Sequence, residues 1–351
     1  MEILWFIIVF LMLTIFVILD GFDFGTGIIY LFIAKTDAER KLVLKAIGPV
    51  WDGNEVWLIA GGGTLFFAFP AVYASLFSGF YLALILVLWL LILRGLSMEL
   101  RSQIDNSLWS SFWDSVLCFA SILIAVVLGA ALGNLLRGVP VNESGYFFVA
   151  LWTNFDVGTL PGILDWYTVS VGVFALVMLI VHGANYIALK TEDKVQQRSQ
   201  NISKKFGWGL ALLAIVIPFI TPMIQKATST NFLNNPIGFL LPATYLIALI
   251  CEIYFRYKNN DKAAFISSSA LILTLMLSAI YAIFPNILIS TLNPDYSLTI
   301  FNSSASAYGL SVGLIWFVIG MALAITYTAY MYRSFKDKVK VSDVESHNGG
   351  Y

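Results

Sequence analysis

Residues 3–19, ILWFIIVFLMLTIFVIL, run without a single charged side chain, and apolar runs of this kind recur almost to the end of the chain. Such a stretch has few ways to fold. In a bilayer a helix of about 20 residues satisfies its own backbone polar groups and meets lipid directly. Composition points to that solvent. Hydrophobic residues make up 59% of the 351 and charged residues 12%, where soluble domains carry about 25% charged. The chain therefore reads as an all-α integral membrane protein. Its 20 Lys+Arg balance 21 Asp+Glu, so there is no basic surplus of the kind a nucleic-acid partner requires.

Nine transmembrane helices are expected, at roughly 3–33, 56–75, 77–99, 115–136, 165–188, 206–225, 238–255, 264–284 and 307–332. The second and third are separated by a tight turn near Ala74–Ser78. Together they form one transmembrane helical domain, 1–332, followed by a short polar cytoplasmic tail, 333–351, expected to be disordered. Positive charge is retained on the cytoplasmic side. The connections after spans 1, 3, 5 and 7 and the tail hold 18 of the 20 Lys and Arg, leaving Arg137 and Lys226 on the other side. This split puts the N-terminus outside and the C-terminus in the cytoplasm. With Glu2 and no basic n-region, the first span reads as retained and not as a cleaved signal. The outside segment Gly138–Trp166, rich in Gly, Pro and aromatics, is expected to be a folded loop or half-helix. Pro285–Ser306 is a second outside segment and has no Lys or Arg.

Two histidines are present, His182 within a span and His347 in the tail. One intramembrane histidine cannot form a bis-His haem site; in VHGANY it reads as a hydrogen-bonding residue. Cys118 and Cys251 lie in apolar runs without a CxxC or CxxCH box, and read as small buried hydrophobes. No metal site is expected.

Most carboxylates lie in loops, but Asp20, Asp23 and Asp52 stand apart. LDGFDFGTG interrupts the first span with Asp20 and Asp23. At about 1.5 Å per residue, Asp20 lies roughly 25 Å along a helix that begins near Ile3, in the cytoplasmic half of a core about 30 Å thick. An ionised Asp at a helix centre costs about 2.5–3.5 kcal/mol on insertion scales. Spacing of i, i+3 puts both on one face, which must look into the bundle, toward water or toward another polypeptide. Gly21 and Gly25 form a small-xxx-small notch that admits a neighbouring helix. Two readings stay open: a packing notch with structural aspartates, or a proton-handling or quinone-linked polar path.

GPVWDGNEVW, residues 48–57, precedes span 2 at the same level. Asp52 or Asn54 can cap the helix that follows, with Glu55 in its first turn. Three polar residues between Trp51 and Trp57 exceed what a cap needs. Arg94, ending span 3 in LLILRGLSMELRSQ, is a positive-inside anchor and also a counter-ion for Asp23 and Asp52. Gly61, Gly62 and Gly63 lack the GxxxxGK[ST] context of a phosphate loop and read as close helix packing.

LDGFDFGTG, then GPVWDGNEVWL, FSGFYLALILVL with its arginine, and LGNLLRGVP at 132–140 make the chain similar to subunit II of the cytochrome bd-type quinol oxidases over essentially its whole length. The resemblance implies two four-helix bundles plus one peripheral helix in a bacterial cytoplasmic (inner) membrane. It implies a haem-free subunit paired with a subunit I that holds the b and d haems and the quinol-oxidising site, with small accessory single-span subunits as further partners. The complex would oxidise quinol, reduce oxygen to water and build a proton gradient without pumping. The position matching Asp52 belongs, in that family, to a polar proton route near the subunit interface. Those matching Asp23, Trp51, Asp52 and Arg94 are linked to a structural quinone in some members. Asp20 and Glu55 carry over as polar neighbours on the proton path. The competing reading is a proton-coupled secondary transporter, which would suit Gly-interrupted helices and membrane carboxylates. The sequence lacks that class's paired broken-helix repeats.

Overall fold

The computed structural model describes residues 1–340; the end of the expected tail, 341–351 with His347, lies outside the described residues. The helices are α1 (Glu2–Ile33), α2 (Asp37–Ile47), α3 (Trp51–Ala68), α4 (Pro70–Gly79), α5 (Tyr81–Leu100) and α6 (Ser107–Arg137). They continue with α7 (Trp166–Lys190), α8 (Asp193–Ile224), α9 (Ala227–Asn234), α10 (Leu240–Tyr257), α11 (Asp261–Ile283) and α12 (Ala307–Ser334). A short antiparallel ribbon, β1 (Asn286–Leu288) with β2 (Leu298–Thr299), precedes α12.

Among the described residues, eight helices are long and apolar enough to cross a membrane. The exception is the expected second span. It does not run unbroken over 56–75, because Pro70 lacks the N–H that would continue the helix and pushes the residue before it out of the α region. Phe69 accordingly sits at φ −135°, ψ 66°, between α3 and α4. The tight turn expected near Ala74–Ser78 falls inside α4; the interruptions are at Phe69 and Phe80. α3 starts at Trp51, and its polar first turn sets it apart from the oily spans.

Three further differences have local causes. The connection after α1 folds as α2, capped by a reciprocal Thr36–Glu39 capping box and buried along Leu42, Val43, Ala46 and Ile47. α6 and α8 begin at Ser107 and Asp193, well before the expected 115 and 206, because polar residues extend those helices beyond their apolar parts. Residues 138–165 form no half-helix: Gly138 turns at φ +93°, and the Asn142 side chain accepts from the Ser144 and Tyr146 amides in an Asx turn. Val139 instead bridges to Ser290 of the second loop.

α7 is the central helix, with 78% of its most apolar window buried, while α12 has 6% and lies almost bare. One core gathers α1, α2, α3, α5 and α6 with one side of α7. The other side of α7 packs with α8, α10 and α11 around Val171, Met178, Leu210, Tyr245, Leu249 and Leu271. Close approach of α1 to α7 is what the Gly21–Gly25 notch provides. A Cβ at Gly25 would collide with the Leu179 carbonyl and with Gly183, so the two backbones touch there. In the Gly61–Gly63 run only Gly61 packs, against Leu13; Gly62 and Gly63 face open space.

Candidate functional site around Arg94

Asp20 and Asp23 are both buried, as their shared face requires. Arg94 reaches across from α5 and grips Asp20 with both ends of its guanidinium, Nη2 donating to Oδ1 at 2.7 Å and Nη1 to Oδ2 at 3.2 Å. Such a two-point contact fixes orientation as well as charge. The same guanidinium lies 4.0 Å from Asp23 Oδ2 and 3.7 Å from Glu55 Oε1. Its flat face covers the Phe24 ring at 4.4 Å and the Trp51 ring at 5.7 Å. One arginine therefore faces three carboxylates from two helices.

Asp23 is held from another side. Asn54 Nδ2 donates to Asp23 Oδ2 at 2.7 Å and to the Leu19 carbonyl at 3.3 Å, while Tyr332 donates to Asn54 Oδ1 at 2.8 Å. Asp23 Oδ1 is buried with no hydrogen-bond partner among the described residues. A crevice of about 400 Å³ opens on the lysine-rich face, and Lys45, Val50, Tyr186, Lys190, Phe265 and Tyr332 are among its walls. Tyr332 thus joins that crevice to the Asn54–Asp23 pair.

The sequence-derived residues divide accordingly. Asp20, Asp23, Glu55 and Arg94 converge, and Trp51 borders them half-buried. Asp52 does not pair with Arg94; it is exposed on the first turn of α3. Nor do Asp52 and Asn54 cap that helix, whose N-terminus has no side-chain cap. Asn54 points inward because Asp23 needs a donor. Tyr332 gave no local signal, coming from the last helix. His182 uses both ring nitrogens, Nε2 at 2.9 Å from the Ile18 carbonyl and Nδ1 at 2.8 Å from Ser268 Oγ. Because a carbonyl only accepts, Nε2 carries a proton, and Ser268 Oγ also donates to the Phe265 carbonyl at 2.9 Å.

Four more carboxylates are buried, Glu39, Asp114, Asp165 and Glu252, correcting the expectation that only three stand apart. Asp114 on α6 accepts from Tyr30, Arg40 and Arg101 at 2.6–2.8 Å, tying α1, α2 and the end of α5 together. Glu252 lies in the apolar run of α10, fully buried. Its signal was present as an intramembrane Glu four residues before Arg256.

Among the described residues, no group of three or more His, Cys, Asp or Glu is disposed to hold a metal ion. The fold and site define a multi-pass helical membrane subunit organised around a buried carboxylate–arginine cluster. The family model for cytochrome bd terminal oxidase subunit II matches residues 1–335, and the chain belongs to that family. It is 32% identical to a probable cytochrome oxidase subunit 2 of Haemophilus influenzae, over 99% of this chain and 97% of the relative. It is 30% identical to the cytochrome bd-I ubiquinol oxidase subunit 2 of Escherichia coli K12, over 98% and 97%. A bd oxidase structure from Geobacillus thermodenitrificans shares the fold at a TM-score of 0.75 and 16% identity, covering 95% of this chain and 98% of that one. The chain is a subunit of a bd-type terminal oxidase, an oxidoreductase complex of aerobic respiration.

Proposed function

We propose that this chain is the haem-free subunit II beside a subunit I carrying the b and d haems, and that its Arg94 cluster takes up cytoplasmic protons for oxygen reduction in that partner. The observation that carries this reading is the ratio of charges. One permanently charged arginine meets three carboxylates, two of them buried with it. A single cation balances one carboxylate, so proton binding is what neutralises the remainder.

The route begins at Asp52, exposed on the first turn of α3, and passes to Glu55 one turn on, which is 20% exposed. It continues past Arg94 to Asp20 and Asp23. Asn54 and Tyr332 hold Asp23 in place. Exposed Asp52, Val56 and Ile59, with open space over Gly62 and Gly63, suit a protein neighbour better than lipid. That face of α3 is where subunit I docks. Bare α12 is the helix open to accessory single-span subunits.

In the membrane, the broken pair α3–α4 serves as the second of nine spans, with α1, α5 and α6 completing one four-helix bundle. A second consists of α7, α8, α10 and α11, and α12 is peripheral. The lysine-rich face is cytoplasmic and the N-terminus outside, in a bacterial inner membrane. A structural quinone fits the site in part. Trp51 and Asp52 reach the surface, whereas Asp23 and Arg94 lie sealed behind them, so a quinone ring would contact Trp51 with the charges acting from behind. Quinol oxidation itself belongs to subunit I.

Purification from the native membrane tests the assignment. A stoichiometric haem-bearing partner, with an absorption signature lost when the partners separate, is expected. A chain that purifies alone, free of haem, and moves a solute in proteoliposomes would overturn it in favour of the proton-coupled transporter.

A further inference from the structure

On the far side of α7 from the Arg94 cluster lies another buried charge pair. Glu252 and Arg256 are one turn apart on α10, with side chains 0% and 1% exposed. Arg256 lies flat on α8 at Gly207, where a Cβ would overlap its guanidinium. Asn185 of α7 donates to Glu252 Oε1 at 3.3 Å, and Ser203 of α8 donates to Asn185 Oδ1 at 2.7 Å. Three helices thus contribute to a buried polar cluster inside an apolar core.

The pairing differs from that of Arg94 and Asp20. Arg256 straddles the carboxylate with Nη1 alone, 3.3 Å from Oε1 and 3.0 Å from Oε2. Its other edge, Nε and Nη2, is buried with no hydrogen-bond partner among the described residues, and Glu252 Oε2 likewise accepts no hydrogen bond. That edge is the fork with which a guanidinium normally grips two oxygens. Buried polar groups left over in this way are satisfied by ordered water where several converge. The cluster lies near the surface: Arg256 is the penultimate residue of α10, and the following turn meets α8 through Lys204 and Asn259 at 2.7 Å.

We propose that Glu252 is a second buried proton-binding site of this subunit, wetted through the free edge of Arg256. A hydronium from the lysine-rich side gives its proton to a Glu252 carboxylate oxygen and leaves as water, while Arg256 stays charged throughout. The charged group in contact with Glu252 is Arg256. On the helices around it, α7 presents neutral Asn185, with His182 a turn deeper and bonded to Ser268. On α8, Lys204 is turned to Asn259 and Lys205 is exposed. On α11, Asp261 is held by Gln196 and Gln200, and Lys262 is exposed. A water that reaches the free edge of Arg256 is what would carry the proton past the apolar wall. The inference stands apart from the Arg94 route, because no residue is shared.

The test is infrared difference spectroscopy on the complete purified complex, titrated with pH in H₂O and D₂O. The expected result is a protonated-carboxyl band that shifts in D₂O, titrates with pH, disappears in Glu252→Gln and persists in Asp20→Asn. A carboxyl region unchanged by Glu252→Gln at every pH overturns the proposal. Should Glu252→Gln fail to assemble, Glu252→Asp moves the carboxyl by one methylene and must displace the band; an identical band also overturns it. Because the readout is a vibration and not oxygen turnover, failure of the Arg94 route would leave the result intact.

Discussion

Arg94 and Asp20, 74 residues apart in sequence, meet through two N–H···O contacts of 2.7 and 3.2 Å inside the membrane-spanning core. The pair joins α5 to α1, and Asp23 and Glu55 gather around the same cation. The cluster is therefore both a strut and a reservoir of carboxylate oxygens. The strut role is the easier to isolate.

Removing the cation while keeping its bulk, Arg94→Met, leaves buried carboxylates uncompensated. Breaking one side of a buried pair typically costs about 3–5 kcal/mol. The expected outcome is a sharp fall in recovered complex and in its thermal midpoint, measured by haem absorbance during heating. Wild-type stability in Arg94→Met would show that the cluster does not hold α1 to α5.

Tyr332→Phe keeps the ring and removes one hydroxyl, leaving Asn54 Oδ1 without its donor. A buried acceptor left unsatisfied costs about 1–3 kcal/mol. The complex should assemble with a lowered thermal midpoint, and Asp23 should lose positional order. An unchanged midpoint would mean that water replaces the hydroxyl at no cost.

Gly25→Val tests the notch. A side chain there meets backbone of α7, at the Leu179 carbonyl and Gly183, which cannot swing aside as a flexible side chain can. Overpacking of cores costs about 1–3 kcal/mol, occasionally more, and here the helices themselves must part. Recovery of complex should drop. Gly62→Ala, which meets nothing within the chain, should leave this subunit's own packing unaffected.

These contrasts show what could be read from the chain before its fold. Spans announced themselves because an apolar run of membrane length has one stable backbone solution in lipid. Asp20 and Asp23 were legible for the same reason, as charges where none is tolerated without partners. Asp20 was read only as a neighbour, yet it receives the bidentate contact, since helix periodicity fixes a face but not the rotation of an opposing helix. Tyr332 was invisible because an exposed-looking Tyr near a helix end is an ordinary interfacial residue. Glu252 was passed over although a lone Glu within LIALICEIYFR breaks the same rule as Asp20. The Phe69–Pro70 break was likewise written in the sequence, obscured by apolar residues on both sides.

Acid should loosen α2. At Asp37, burial alone would push the carboxyl up, but hydrogen bonds and charge from Arg101 and Lys41 outweigh it and hold the group below its usual range. At Glu39 burial is likewise outweighed, by Arg198 and the Lys35 and Thr36 amides. Groups held low in the folded state stabilise it above their unfolded value of about 4 and lose that contribution as pH falls through the lower folded value. Hydrogen exchange in 37–47 should therefore be flat near neutrality and rise, relative to the intrinsic rate, below about pH 4. Loosening on the alkaline side of neutrality instead would contradict the assignment.

Asp52 carries the sharpest expectation, because it is exposed on the first turn of α3 and does not cap that helix. Asp52→Asn preserves shape and removes the ability to exchange a proton, so assembly, haem content and thermal midpoint should be near wild type. Oxygen consumption should fall on the order of tenfold, about 1.4 kcal/mol in barrier, if protons enter by this carboxylate. Asp23→Asn differs in kind. Asp23 is sealed and accepts from Asn54; an amide oxygen there can still accept, but the charge beside Arg94 is lost and the NH2 group is buried in the place of the partnerless Oδ1, so assembly should suffer before turnover can be measured. Oxygen-electrode rates per haem, compared with yield for both variants, separate the roles. Full turnover in an assembled Asp52→Asn complex would remove Asp52 from the route and leave the Tyr332 crevice as the remaining approach to Asp23.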